Sequence, residues 1–107
     1  MNGKSCNIDL PDLSEVEIIS LPDAEEIEDY SDALVVANFY AARRFDEFML
    51  ISWYDRDRDF ESPPHTTEKP GDGEKDGYIH YALSHGAKLM VDIESGRFVF
   101  FYTPVEW

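Results

Sequence analysis

The sequence predicts an α+β fold: a four- to five-stranded antiparallel β-sheet that ends in a C-terminal meander, with one long acidic N-terminal helix packed on one face. Three patterns support this prediction: an apolar stripe at helical spacing in the first half, an apolar run of strand length after it, and a ten-residue near-repeat in the last third. At 107 residues, we expect a single domain spanning 1–107, with residues 1–13 flexible.

The first half predicts an edge strand followed by a helix. Apolar and polar residues alternate over Glu15–Leu21, as in a half-buried strand. The helix is predicted from Pro22 to Arg44, because Ser20 can cap it, acids fill its first turns and arginines close it. Its apolar stripe consists of Ala24, Ile27, Tyr30, Leu34, Ala37, Ala41 and Phe45. Two alternatives remain open: a break near Asp29–Asp32 with Ser31 as a second cap, and a strand at Val35–Tyr40.

The middle of the chain predicts one buried strand and one long loop. Residues Glu47–Tyr54 are apolar at both alternating sets of positions, so neither face of this strand is expected to meet solvent freely. Alternating acids and bases follow, and then prolines and glycines. This composition predicts a long polar loop over residues 55–77.

The C-terminal third predicts the meander. The triplets Ser84-His85-Gly86 and Glu94-Ser95-Gly96 stand ten residues apart, and each places glycine where a three-residue hairpin loop requires positive φ. The strands predicted from this repeat are Tyr78–Leu83, Ala87–Ile93 and Arg97–Thr103. A helix over Tyr78–Ser84, capped by Gly86, is the alternative.

The loop lengths also predict the register of these strands. They place Leu89 opposite Phe101 and Val91 opposite Val99, so that both pairs would lie in the core beneath the helix. The other face of the meander would then be aromatic but interrupted by polar groups, as in a partner or dimer surface. Its candidate residues are Tyr78, His80, Met90, Phe98, Phe100 and Tyr102.

Charge is the strongest functional signal in the sequence. The chain has 23 acidic against 9 basic residues, a net charge of −14, which disfavours nucleic acids and anionic membranes as partners. Between Asp9 and Asp32 there are acids and no base. Such a cluster suits a basic protein surface, because opposite charge steers association. The candidate electrostatic contacts are Asp23, Glu25, Glu26, Glu28, Asp29 and Asp32.

Catalytic and metal chemistry find little support. One cysteine, Cys6, excludes an intrachain disulfide and a four-cysteine zinc site. Residues Asp72–Gly77 resemble half of a calcium loop, but the twelfth position holds Leu83 instead of glutamate. The carboxylates of Asp55, Asp57, Asp59 and Glu61 alternate with arginines, which favours mutual neutralisation over a metal site. We therefore expect no metal, no cofactor and no catalytic residue.

The sequence thus predicts a non-enzymatic, acidic, inhibitory binding module that covers a basic surface of a nucleic-acid-binding or toxin-like protein. Nucleic-acid mimics, anti-defence proteins of the anti-CRISPR kind and immunity proteins share this balance of size and charge, which is an analogy of composition. The alternatives are a structural homodimer that pairs its aromatic sheet faces and, less favoured, a small metal-binding enzyme. Since no leader or spanning segment is visible, we expect a cytoplasmic protein.

Overall fold

The computed structural model describes residues 12–22, 27–64 and 76–105, and in these it contains five strands and two helices. In chain order they are β1 (Glu17–Leu21), α1 (Tyr30–Ala42), β2 (Phe48–Asp55), β3 (Phe60–Ser62), α2 (Gly77–Ser84), β4 (Leu89–Ile93) and β5 (Phe98–Pro104). The strands form one sheet in the order β1-β4-β5-β2-β3. The α+β class is confirmed, but the sheet is mixed, because β1 runs parallel to β4 while the other neighbouring strands are antiparallel.

Helix α1 covers one face of the sheet through a row of small residues. Ala33, Ala37 and Ala41 recur every four residues and are fully buried. Side chains this small bring the helix backbone close to the sheet. Beneath the row lie the largest buried side chains of this face: Leu89, Val91, Ile93, Phe98, Phe100 and Tyr102.

Helix α2 covers part of the opposite face, which the sequence prediction left without a helix. Tyr78 and Ala82, one turn apart, pack against Val99 and Phe101 of β5. Buried polar groups hold the start of the helix: Ser52 Oγ donates to the Tyr78 carbonyl at 2.7 Å, and the Glu61 carboxylate accepts from the Tyr78 amide at 3.2 Å. The carboxylate therefore satisfies an N-terminal amide of α2, where the helix dipole favours negative charge.

The long acidic helix predicted from Pro22 is wrong, since α1 has 13 residues and begins at Tyr30. Asp29 is its N-cap and accepts from the Asp32 amide at 3.2 Å, while the Asp32 carboxylate accepts from the Glu28 amide at 3.0 Å. These two bonds start a helix at the break that the sequence offered as an alternative, with Asp29 as the cap in place of Ser31. Within α1, Asp32 is the one acidic residue.

The strand predicted over Tyr78–Leu83 is also wrong, and the helical alternative is confirmed. Gly86 does have positive φ, 82°, but it follows the end of α2 and does not close a hairpin. The ten-residue repeat was therefore misleading, because glycine serves a helix C-terminus as well as a hairpin loop. The predicted antiparallel meander is reduced to the β4–β5 hairpin.

The β4–β5 hairpin shows a one-residue error in the predicted register. The turn contains four residues, with Glu94, Ser95 and Gly96 all at positive φ, and Ile93 faces Phe98. Because side chains alternate between the faces of a strand, this shift moves alternate residues of β5 to the other face. Phe98, Phe100 and Tyr102, predicted on an open aromatic face, are fully buried beneath α1 instead.

The first part of the predicted 55–77 loop is a hairpin. β3 pairs with the end of β2, with Trp53 opposite Ser62 and Asp55 opposite Phe60. The remaining predicted loop residues, 65–75, lie outside the described residues, as do residues 1–11 of the segment predicted to be flexible. Neither of the two described helices has the length and apolarity needed to cross a membrane.

The alanine row of α1 leads to a stability prediction. Replacing Ala37 by leucine inserts three carbon atoms between α1 and the sheet, so the free energy of unfolding should fall by about 1–3 kcal/mol. Ala42→Leu, at an exposed position of the same helix, is the matched control and should change it by less than about 0.5 kcal/mol. Urea unfolding of both variants measures the difference, and equal values would contradict the close packing.

Candidate functional site: a cleft at the start of α1

A cleft of about 260 Å³ opens where the first turn of α1 meets the turn between β2 and β3. The capping of α1 by Asp29 positions one wall, and the β2–β3 hairpin positions the other. We call this feature the α1 cleft. Its lining residues are Asp29, Tyr30, Ser31, Asp55, Asp57 and Arg58.

One cation of the chain itself occupies the aromatic side of the α1 cleft. The guanidinium carbon of Arg58 lies 5.8, 5.9 and 5.5 Å from the ring centroids of Tyr30, Trp53 and Phe60. Arg58 Nε donates to Oδ2 of Asp55 at 2.6 Å, and that aspartate is only 2% exposed. Aromatic faces and a buried carboxylate together form surroundings that stabilise a cation.

The ring of Tyr30 connects this aromatic group to the core. It lies 4.3 Å from the ring of Trp53 and 5.8 Å from that of Phe100, measured between centroids. Burial raises the pKa of the Tyr30 hydroxyl, and the positive charge of Arg58 opposes part of that rise. Tyr30 therefore stays protonated at neutral pH and can donate a hydrogen bond at the α1 cleft.

A second arginine joins the segments that surround the α1 cleft. Arg97 Nη2 donates to Asp57 Oδ2 at 2.7 Å, and Nη1 donates to Glu94 Oε1 at 2.8 Å. The same guanidinium donates to the backbone carbonyls of Ile27 at 2.9 Å and Glu28 at 3.0 Å. We call this set of contacts the Arg97 clasp. It links the β2–β3 turn, the β4–β5 turn and the residues leading into α1.

The Arg97 clasp also changes the acidity of its members. The hydrogen bond from Arg97 lowers the pKa of Asp57 below the ordinary 3.8, and burial opposes the effect only in part. Its bonds with Asp57 and Glu94 raise the pKa of the guanidinium further above its usual value. Both groups are therefore charged throughout the physiological pH range.

The structure brings together half of the predicted electrostatic contacts. Glu28, Asp29 and Asp32 lie side by side at the start of α1, and Asp29 also lines the α1 cleft. Among the described residues, no arginine or lysine forms an ion pair with these three carboxylates. The other predicted contacts, Asp23, Glu25 and Glu26, lie outside the described residues.

The predicted partner or dimer face is not a single surface. Phe98, Phe100 and Tyr102 pack beneath α1, and Tyr102 donates its hydroxyl to Oδ1 of Asn38 at 2.7 Å. Tyr78 is buried on the α2 side, where Met90 is half-buried and His80 is exposed. The sheet and its two helices thus separate the six residues that the wrong register had grouped.

The sequence analysis missed the aromatic and arginine residues that shape the α1 cleft. Asp55, Asp57 and Arg58 were noted only as a self-neutralising run, and Tyr30 only as part of a helix stripe. The available signal was an aromatic strand that leads directly into alternating acids and arginines. It could indicate a charged turn beside aromatic rings, but it could not indicate that Arg97 would reach this turn from the β4–β5 turn.

Two polar side chains of the C-terminal third make local contacts. Nδ1 of His85 lies 2.8 Å from the Tyr81 carbonyl, and Asp92 accepts from the Gly96 amide at 2.7 Å. These contacts close the end of α2 and the β4–β5 turn. Within the described parts of the chain, no three histidine, cysteine, aspartate or glutamate side chains are grouped as metal ligands would be.

The lowered pKa of Asp57 predicts that the stability of the folded state depends on pH. A carboxyl whose pKa is lower in the folded state stabilises that state above its ordinary pKa of 3.8, and the contribution disappears as the pH falls through the lowered value. Carbon-detected NMR titration should therefore show Asp57 titrating below 3.8. In an Arg97→Gln variant the Asp57 pKa should rise towards 3.8. An unchanged value would contradict the clasp.

The comparisons with known proteins give a family and a fold. No curated protein matches the chain. A crystal structure of a novel protein, AF1514, from Archeoglobus fulgidus is similar, with a TM-score of 0.63 and 23% sequence identity over 86% of this chain and 96% of that chain. This likeness concerns the fold alone. Residues 16–102 match the family model of a domain of unknown function, DUF5619, so the chain belongs to this family.

Proposed function

We propose that this protein is a non-enzymatic binding module that docks onto a basic protein surface through the α1 cleft and the acidic residues beside it. The observation that carries the proposal is the position of Arg58, whose guanidinium lies against three aromatic rings and the buried Asp55 carboxylate. The α1 cleft thus already accommodates one cationic side chain. A cationic side chain from a partner would meet the Asp29 carboxylate, which lines the same cleft.

The charge of the α1 start supports this proposal. The carboxylates of Asp29 and Asp32 are held by backbone amides of the capping turn, so little conformational freedom is lost when a cation binds to them. Glu28, which is exposed, adds a third negative charge. A partner's lysines and arginines would therefore meet a fixed group of acids.

The net charge of −14 supports the same class of partner over long range. An excess of one sign speeds encounter with surfaces of opposite sign, and salt weakens this attraction. Blocking a basic surface that otherwise binds nucleic acid is the inhibitory form of the proposal, as in nucleic-acid mimics and in anti-defence or immunity proteins. The Arg97 clasp would serve this role by keeping the acidic turn and the start of α1 together.

The alternative predicted from the sequence, a homodimer formed through the aromatic sheet face, loses its basis. Three of the six residues proposed for it are fully buried in the core beneath α1. Exposing them for a second copy would require α1 to leave the sheet.

The proposal is tested with an oligoarginine peptide as the probe and isothermal titration calorimetry as the measurement. Asp29→Asn removes one charge but keeps a good helix cap, so weaker binding would not reflect a lost helix start. We expect affinity to fall about two- to fivefold, as for the loss of one exposed ion pair. Asp46→Asn removes an equal charge from an exposed position outside the α1 cleft and should have little effect.

A kinetic experiment tests the predicted contacts that precede α1. Reversing the charges of Glu25, Glu26 and Glu28 together, each to lysine, should slow association with the oligoarginine peptide and reduce its dependence on salt.

Binding that is absent in the unmodified protein, or that Asp29→Asn and Asp46→Asn weaken equally, would overturn the proposal. Equal weakening would indicate attraction by net charge without a site.

A further inference from the structure

The outward side of α1 is apolar although nothing in the described structure covers it. Val35 is 70% exposed and Phe39 is 57% exposed, and they lie one helical turn apart. Between Asp32 and the end of the helix, Asn38 is the one polar residue. The side of α1 that faces the sheet carries the buried alanine row. The helix is therefore apolar on both sides. A helix of this kind is usually covered on both sides.

This apolar surface lies between opposite charges. Asp32, Val36, Phe39 and Arg43 follow one another at steps of three or four residues along one side of the helix, and Val35 lies beside them. Val36 is half-buried, because it also packs against the core, so Val35 and Phe39 form the exposed part. We call these five residues the outer stripe. Arg43 lies directly after the helix, with its guanidinium 5.6 Å from the centroid of the Phe39 ring. No carboxylate of the described residues forms an ion pair with Arg43.

We propose that a second copy of this chain covers the outer stripe, with the two α1 helices antiparallel about a twofold axis. In such an arrangement the acidic end of each stripe meets the basic end of the other. Arg43 would reach Asp32 of the partner subunit, and Phe39 would pack against Val36 of the partner subunit. An isologous interface requires a surface that complements itself, and this distribution of charge has that property.

The charge complementarity favours a second copy over another basic protein. A basic partner would be attracted to Asp32 but repelled by Arg43, whereas a second copy satisfies both ends. The apolar area is small and the net charges repel, so the dimer should be weak and concentration-dependent. The outer stripe shares Asp32 with the acids of the proposed function, but Val35, Phe39 and Arg43 do not line the α1 cleft, so a substitution at Phe39 tests the dimer without changing the cleft.

The first test is sedimentation equilibrium over a range of concentrations. The unmodified protein should pass from 12.3 kDa towards twice that mass as its concentration rises. Phe39→Lys should keep the mass at that of the monomer. Met49→Lys adds the same charge at a position that is 55% exposed and outside the stripe, and should leave the transition unchanged. A monomer at every concentration, or equal effects of the two variants, would overturn the proposal.

The second test uses the charged ends of the outer stripe. Arg43→Glu places two acids together across the axis, and Asp32→Lys places two cations together, so each variant alone should be monomeric. Mixed in equal amounts, the two variants should form a heterodimer, because each contact then joins opposite charges. Circular dichroism of Asp32→Lys checks that α1 survives the loss of its bond to the Glu28 amide. Failure of the mixture to associate while both variants are folded would overturn the antiparallel arrangement.

Discussion

The Arg97 clasp is the interaction on which the arrangement of the α1 cleft depends. The guanidinium is held by two carboxylates and by two carbonyls that precede α1, and it lies 4.8 Å from the centroid of the Phe98 ring. Arginine suits this position because its planar donors reach several acceptors at once. The β4–β5 turn, the β2–β3 turn and the start of α1 would otherwise be neighbours without a common contact.

Local chemistry explains which parts of the fold could be predicted. The strands around Glu17–Leu21, Phe48–Asp55 and Phe98–Pro104 were predicted within a few residues, because alternation and apolar runs are local signals. The break at which α1 starts was also offered, but with Ser31 as the cap, whereas Asp29 caps the helix. The parallel pairing of β1 with β4 was not predictable, since it depends on where two helices pack on opposite faces.

Two prediction errors had large consequences: one concerned the role of Gly86, and the other concerned the register between β4 and β5. The glycine of Ser84-His85-Gly86 could end a helix or close a hairpin, and the sequence pattern alone did not distinguish the two. The β4–β5 turn has one residue more than predicted, which exchanged the buried and exposed sides of β5. The aromatic residues assigned to a binding surface are therefore the centre of the core. Three of the predicted acids lie at the start of α1, where the sequence already places them close together, and their role in binding stays a prediction.

Both proposals concern α1 and share Asp32, but otherwise they use different parts of the helix. The α1 cleft lies at its N-terminal end, where caps fix the carboxylates, and the outer stripe runs along its exposed side. A dimer would place two acidic clefts in one assembly, so a partner with two basic patches could bind both at once. In either case the caps fix the carboxylates at the start of α1, and the Arg97 clasp holds the residues leading into that start against the two β-turns.

Hydrogen exchange in an Arg97→Lys variant tests the role of the clasp most directly. Lysine keeps the charge but cannot reach all four acceptors. We predict faster exchange at the Ala33 amide, in the first turn of α1, and at the Asp59 amide, in the β2–β3 turn, with β4–β5 amides unchanged. Arg56→Lys, at an exposed neighbouring arginine that donates to the Ser95 carbonyl at 3.4 Å, should leave all of these rates unchanged. Unaltered exchange at Ala33 and Asp59 in Arg97→Lys would contradict the account.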